Sequence, residues 1–177
     1  AMLQVAGGAL VCEGAQLEGE ITIGAGTVIH PGCCILAIEG PIVIGENNIF
    51  EERVCVTNRN ARREDKRVVI GNSNIFEVGC QITDCDIGDA NIIEAKACLD
   101  RVQLTTGCSI GVSVVLEEQV VAAEMALHAP RNCAQHKENA AQLHSLTVTR
   151  QLELLRKVLP DSHIMVPAGT EEEEPTA

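Results

Sequence analysis

Bulky aliphatic or phenylalanine side chains recur at every sixth position along most of this chain, broken by a few insertions and one-residue contractions. The series runs Val5, Val11, Leu17, Ile23, Ile29, Ile35, resumes at Ile44, Phe50, Val56, and resumes again at Ile70, Phe76, Ile82. It continues through Ile87, Ile93, Leu99, Leu104, Ile110 and Leu116 and ends at Val121 and Leu127. A period this short predicts a solenoid, and a six-residue unit predicts a β-helix. A helical reading fails, because six is not a multiple of 3.6 and repeated Gly and β-branched residues disfavour helix. The bulky residues fall in threes, so three units close a coil of about eighteen residues with one short strand on each side of a triangular prism. Residues 5–127 then make about seven coils.

Four residues after each bulky position comes a second inward site that takes only small or thin side chains. Ala9, Thr27, Asn48, Asn74, Asn91 and Cys108 form one such column, and Ala15, Cys33, Val54, Cys80, Ala97 and Val114 another. Residues two apart on a strand share a face, which explains the spacing from this site to the next bulky one. Asn48, Asn74 and Asn91 fall in successive coils, so their amides are expected to stack as a hydrogen-bonded ladder. Eleven of the fifteen glycines sit one or three residues after a bulky position. Both offsets are expected to be corners where positive φ is needed.

Composition refines this picture. The hydrophobic content is 46%, with no Trp, no Tyr and two Phe. A narrow prism interior has little room for rings, and so much apolar content excludes a disordered chain. The formal charge of −12 argues against nucleic acid as a partner. No apolar run has transmembrane length and no signal peptide is evident, so no membrane insertion is expected. The nine cysteines follow the hexad, are odd in number and include no CxxC. They read as small apolar residues in a reducing, cytosolic compartment.

The coil is interrupted twice, by a short excess at Leu36–Pro41 and by a longer loop at 57–69. The longer loop carries Arg59, Arg62, Arg63, Lys66 and Arg67 against only Glu64 and Asp65. On so acidic a chain it is a candidate contact for an acidic partner surface. The expected organisation is a β-helix over 5–130, a linker or helix over 131–144, a helix over 145–160 and an acidic flexible tail over 161–177. Val148, Leu152, Leu155 and Leu159 recur at helical spacing ahead of Pro160, so this amphipathic helix should lie along one wall of the prism.

Candidate chemistry is sparse. Hexapeptide β-helices include acyltransferases and γ-class carbonic anhydrases, homotrimers with sites between subunits. The anhydrase needs three convergent His for zinc. This chain has His30, His128, His136, His144 and His163, of which only His30 lies in the central coils, where it is expected to be solvent-exposed. Neither a catalytic nor a metal site is assigned, and no cofactor is expected. Glu51, Glu77 and Glu94 follow the middle bulky residue of consecutive coils and should form an acidic stripe, a candidate cation or partner site whose plainer reading is a solvated edge.

The segments GPIVIGENNIFEE (40–52), VIGNSNIFEVGC (69–80), IGDANIIEAKACL (87–99), LTTGCSIG (104–111) and LELLRKVLP (152–160) together resemble the dynactin subunit 6 family, hexapeptide proteins of the dynactin pointed-end complex. The resemblance spans roughly residues 5–160. It implies an all-β solenoid of left-handed sense: a left-handed parallel β-helix of about seven triangular coils with the C-terminal amphipathic α-helix packed on one wall. It also implies a non-enzymatic role in dynein-driven cargo transport on microtubules. The implied location is cytoplasmic and cytoskeleton-associated. The implied assembly is a hetero-oligomer with dynactin subunit 5 and other pointed-end subunits, including the actin-related protein. The alternative is a hexapeptide-repeat enzyme of the acyltransferase or carbonic anhydrase kind.

Overall fold

The structure, a computed structural model, describes residues 2–62, 64–128, 133–136, 140–162 and 165–166. All twenty bulky positions fall into three columns, each running up one wall. On the first wall Val5 pairs with Ile23, Ile23 with Ile44, Ile44 with Ile70, Ile70 with Ile87, Ile87 with Leu104 and Leu104 with Val121. The second wall stacks Val11, Ile29, Phe50, Phe76, Ile93, Ile110 and Leu127. The third stacks Leu17, Ile35, Val56, Ile82, Leu99 and Leu116. Most of these strands are short, and each pairs in parallel with the strand one coil away, so inward residues meet their own kind and almost all are fully buried. Phe50 and Phe76 use the column to stack face to face, with centroids 4.5 Å apart and planes 8° from parallel.

The excess at Leu36–Pro41 does not form a loop. It is absorbed into one continuous strand, Cys34–Ile44, which pairs with the equally continuous Gln16–Ile23 across a register shift between Gly19 and Ile21. These two strands carry the chain around a corner and join the first and third walls into an 11-stranded sheet. Backbone pairing on both sides holds the extra residues extended. The longer loop does leave the coil, between strands Cys55–Asn58 and Val68–Ile70.

The two glycine offsets have different causes. Three residues after the bulky site the backbone is left-handed, as at Gly26 (φ 71), and the same corner in later coils holds Asn47 (φ 55), Ser73 (φ 57) and Ala90 (φ 56). The strain of a non-glycine there, of order 1–2 kcal/mol, is offset by stacking: the Asn47, Ser73 and Ala90 amides each donate to a carbonyl of the coil before, at 2.9–3.0 Å. One residue after the bulky site φ is not positive, contrary to the expectation. Glycine is needed there because coils pass too close: a Cβ on Gly45 would lie 2.4 Å from Asn72 Oδ1 and 2.5 Å from the Gly71 carbonyl oxygen.

Beyond the last coil the chain reverses. Strand Cys133–His136 pairs antiparallel with Met125–His128 and covers the terminal edge of the second wall. Helix α1 (Ala140–Ser162) then runs back over the outer face of that wall, and Met165–Val166 pairs antiparallel with Leu10–Cys12 at its other edge. Val148, Leu152 and Leu159 pack on Cys12, Val28, Ile49 and Ile75, the outward residues of the second wall. The helix starts earlier than expected from its apolar spacing. It also continues through Pro160, whose missing N–H falls in the last turn and removes one hydrogen bond. The segment 131–144, expected as linker or helix, holds the covering strand and the first helical turn. Of the expected tail, 163–164 and 167–177 lie outside the described residues. Among the described residues no helix is long and apolar enough to cross a membrane.

Candidate partner-binding surface

The basic loop is seated by two polar residues that the sequence reading did not single out. Asp84, in the left-handed region (φ 54) at the corner of the next coil, accepts backbone hydrogen bonds from Arg59 (2.7 Å) and Asn60 (3.1 Å). Asn58 is buried and donates from Nδ2 to the carbonyl oxygens of Gly40 (2.9 Å), Pro41 (3.2 Å) and Lys66 (2.6 Å). Within the loop Asn60 Oδ1 accepts from the Arg62 amide and Asp65 Oδ1 from the Arg67 amide, both at 3.1 Å. The loop backbone is therefore pinned at both ends, while the side chains of Arg59, Arg62, Lys66 and Arg67 are exposed. Arg63 lies outside the described residues. Among the described residues only Arg67 of these cations is paired with a loop acid, with Nε 4.0 Å from Asp65 Oδ1 and both side chains open to solvent. The charge of the loop is thus presented outward, a geometry suited to an acidic surface. A signal for the anchors was present: Asn58 and Asp84 are short polar residues beside a corner, where such side chains cap loose backbone amides and carbonyls.

The predicted ladder residues meet inside the prism. Asn74 donates from Nδ2 to Asn48 Oδ1 (3.0 Å), and Asn91 from Nδ2 to Asn74 Oδ1 (3.1 Å). Each Oδ1 also accepts the backbone amide of the next residue in the column, ending at Cys108, whose amide lies 2.8 Å from Asn91 Oδ1. Each Nδ2 reaches a corner carbonyl as well: Gly71 from Asn48, Gly88 from Asn74, Thr105 from Asn91. Thr27 starts the series, donating to the Gly45 carbonyl at 2.8 Å and accepting from the Asn48 amide at 3.2 Å. The ladder is internal, and its chemistry is spent on holding coils together.

The glutamate stripe has a similar use on the outside. Glu51 Oε2 accepts from the Val78 amide (3.1 Å), Glu77 Oε2 from Ala95 (3.0 Å) and Glu94 Oε2 from Val112 (3.0 Å). Each carboxylate reaches one coil onward. Burial, and then the neighbouring Glu77, push the Glu51 pKa up against the opposing Val78 hydrogen bond. Among the described residues no group of three or more His, Cys, Asp or Glu could hold a metal ion.

His30 is not solvent-exposed as expected. It is buried at a corner of the second wall, with Nδ1 3.1 Å from Glu52 Oε1. Its Nε2 is buried without a hydrogen-bond partner among the described residues. His144 on α1 is also buried; its Nε2 lies 2.8 Å from the Ser73 carbonyl, and burial lowers its pKa against that bond. Arg156 reaches Gly26 O and Asn47 Oδ1, each at 3.4 Å, over a cleft of about 420 Å³ lined by Gly7, Gly8 and Glu46. Burial pushes the thiols of Cys33, Cys80 and Cys85 up to about 12, which leaves them protonated and inert.

No family model matches the chain. Dynactin subunit 6 of Danio rerio is 37% identical over 170 residues, covering 91% of this chain and 86% of that protein. Dynactin subunit 6 of Xenopus tropicalis is 36% identical over 169 residues, covering 91% and 83%. Among solved structures, a hexapeptide transferase family protein from Anaplasma phagocytophilum superimposes with a TM-score of 0.78 at 17% identity, covering 89% of this chain and 93% of that one. A candidate acetyltransferase from Bacillus cereus gives 0.77 at 11% identity, covering 88% and 90%. At such identities the structural likeness fixes the fold alone, and the fold is the left-handed parallel β-helix of hexapeptide-repeat proteins.

Proposed function

The chain belongs to the dynactin subunit 6 family, and from that premise we propose that it is a non-enzymatic structural subunit of the dynactin pointed-end complex. In that role it pairs with dynactin subunit 5 and other pointed-end subunits, the actin-related protein among them, and supports dynein-driven cargo transport on microtubules. Its place is then cytoplasmic and cytoskeleton-associated, within a hetero-oligomer. The observation that carries this reading is identity of 36–37% spread over about nine-tenths of the chain, coils and C-terminal segment together.

The rest of the molecule supports an assembly role. The polar residues that stack between coils are consumed by coil-to-coil hydrogen bonds. The imidazole of the central coils has Nε2 buried without a partner among the described residues, out of reach of a substrate proton in this conformation. The exposed cations at Arg59, Arg62, Lys66 and Arg67 form the proposed docking site for an acidic surface of a neighbouring subunit.

Affinity capture of the tagged chain from extract of its own cells, read by mass spectrometry, tests the assignment. Enrichment of subunit 5 and the actin-related protein is expected. Capture without dynactin components, or stoichiometric zinc in a homotrimer of the purified protein, would replace it with the enzyme reading. Replacing the four described loop cations by Ala should weaken subunit capture in a salt-dependent way while leaving the fold intact; unchanged capture removes the loop from the interface.

A further inference from the structure

The third wall presents two thiols side by side. Cys34 begins the strand Cys34–Ile44, Cys55 begins Cys55–Asn58, and the two are Cα partners in the parallel register. In-register neighbours of parallel strands stand about 4.8 Å apart, inside the 4.4–6.8 Å Cα range that a disulfide accepts. Both precede an inward residue, Ile35 and Val56, so both side chains stand on the outer face, where they are half-buried. Neither is bridged. Their surroundings are polar: Cys34 Sγ lies 3.5 Å from Gln16 Oε1, and Cys55 Sγ lies 3.6 Å from Thr57 Oγ1. Burial, and next the adjoining Cys55 thiol, raise the Cys34 pKa, which keeps Cys34 mostly in the thiol form that the resolving step uses.

The other cysteines whose side chains are described lack one of these properties. Cys12, Cys33, Cys80, Cys85 and Cys108 are buried. Cys98 shares the outward column, but Gln81 separates it from Cys55. The Cys34–Cys55 pair therefore combines access with adjacency, at a Cα spacing that a disulfide accepts.

We propose that Cys34 and Cys55 form a peroxide-responsive oxidation site that closes a disulfide between the second and third coils. The thiolate of one cysteine attacks an oxygen of hydrogen peroxide; the O–O bond breaks, hydroxide leaves and takes up a proton, and a sulfenic acid remains. The second sulfur attacks the sulfenic sulfur; the S–O bond breaks and water leaves with the second thiol proton. Two thiols are oxidised, one peroxide is reduced and two waters form. The bond has a defined mechanical target. Cys55–Asn58 leads directly into the basic loop, and Cys34–Ile44 contains Gly40 and Pro41, on which Asn58 holds that loop. Oxidation ties together the two strands that seat the loop. The site is independent of the dynactin assignment.

The full chain, reduced and freed of reductant, is exposed to hydrogen peroxide near neutral pH, quenched with an alkylating reagent and examined by intact mass and peptide mapping. The folded wild type should lose two hydrogens and yield a Cys34–Cys55 cross-linked peptide at least about tenfold faster than the urea-unfolded chain, because the fold holds the thiols in reach. The Cys98→Ser variant should behave the same, and Cys34→Ser and Cys55→Ser should not lose the two hydrogens. Circular dichroism checks that each variant is folded, and a dimedone adduct on the remaining cysteine of either single variant identifies the sulfenic step. The proposal is overturned if both thiols stay alkylatable in the folded chain, if the cross-link forms no faster than in urea, or if oxidation gives intermolecular dimers or pairs with Cys98.

Discussion

Replacing Asn74 by Ala would remove the centre of the internal ladder and test whether amide stacking, and not hydrocarbon alone, holds the coils. Asn74 is fully buried. Its Nδ2 donates to Asn48 Oδ1 and to the Gly88 carbonyl, and its Oδ1 accepts from the Asn91 amide and from Asn91 Nδ2. Four contacts vanish together. The heaviest loss is the Asn91 backbone N–H, left buried with no acceptor, which costs about 1–3 kcal/mol. The Asn48 oxygen keeps its bond from the Asn74 amide and loses less. Adding about 1 kcal/mol for each of two further net hydrogen bonds gives about 3–5 kcal/mol. For a chain of this size, 1 kcal/mol corresponds to about 2–4 °C in Tm, so a fall of about 6–20 °C is expected. Urea denaturation with an unchanged m value, followed by both circular dichroism and hydrogen exchange, is the assay. Exchange should rise first at the amides of Asn91 and Cys108, the column neighbours on the side that lost its acceptor. A cycle with Asn48→Ala should show coupling of about 0.5–3 kcal/mol, because the two side chains share a bond. A drop in Tm under about 2 °C, or strict additivity in the cycle, would refute the claim that these amides work as a connected series.

Other expectations follow from single contacts. Gly45→Ala forces a Cβ against Asn72 Oδ1 and the Gly71 carbonyl and should cost about 1–3 kcal/mol, whereas Gly7→Ala, with nothing within 4 Å, should be neutral or slightly stabilising by thermal melt. Burial depresses the His144 pKa below its usual 6.5, so the neutral form is the one favoured in the fold. Its contribution is complete above that value and is lost as pH falls from there through the depressed folded pKa; hydrogen exchange on α1 should rise with acid in the wild type and much less in His144→Gln. Asp84→Ala orphans the Arg59 and Asn60 amides and should lower stability by about 1–3 kcal/mol, while Arg59→Ala and Arg62→Ala, at exposed side chains, should stay within about 0.5 kcal/mol in denaturant titration.

The six-residue spacing was enough to place every bulky residue in its column, because in a parallel β-helix the inward face is a local property of each unit. The adjacency of Asn48, Asn74 and Asn91 was readable for the same reason: equal offsets in successive coils become vertical neighbours. The limits appear where a residue answers to something outside its own unit. The glycines that follow Ile23, Ile44, Ile70 and Ile87 on the first wall looked like turn formers, and only the close passage of the next coil's carbonyl shows what they are for. His30 Nδ1 is partnered by a glutamate one coil away, and the seating of the basic loop depends on Asp84 in the coil that follows.

The chain alone thus determined the coils, the lining and the position of the charged loop, since a repeat writes its period into every unit. Tertiary structure decided which wall the helix covers and how the second wall's two edges are closed, by Cys133–His136 at one end and Met165–Val166 at the other. Those choices join segments far apart in the chain, and no local periodicity encodes a pairing between a single strand and an edge that it meets only once.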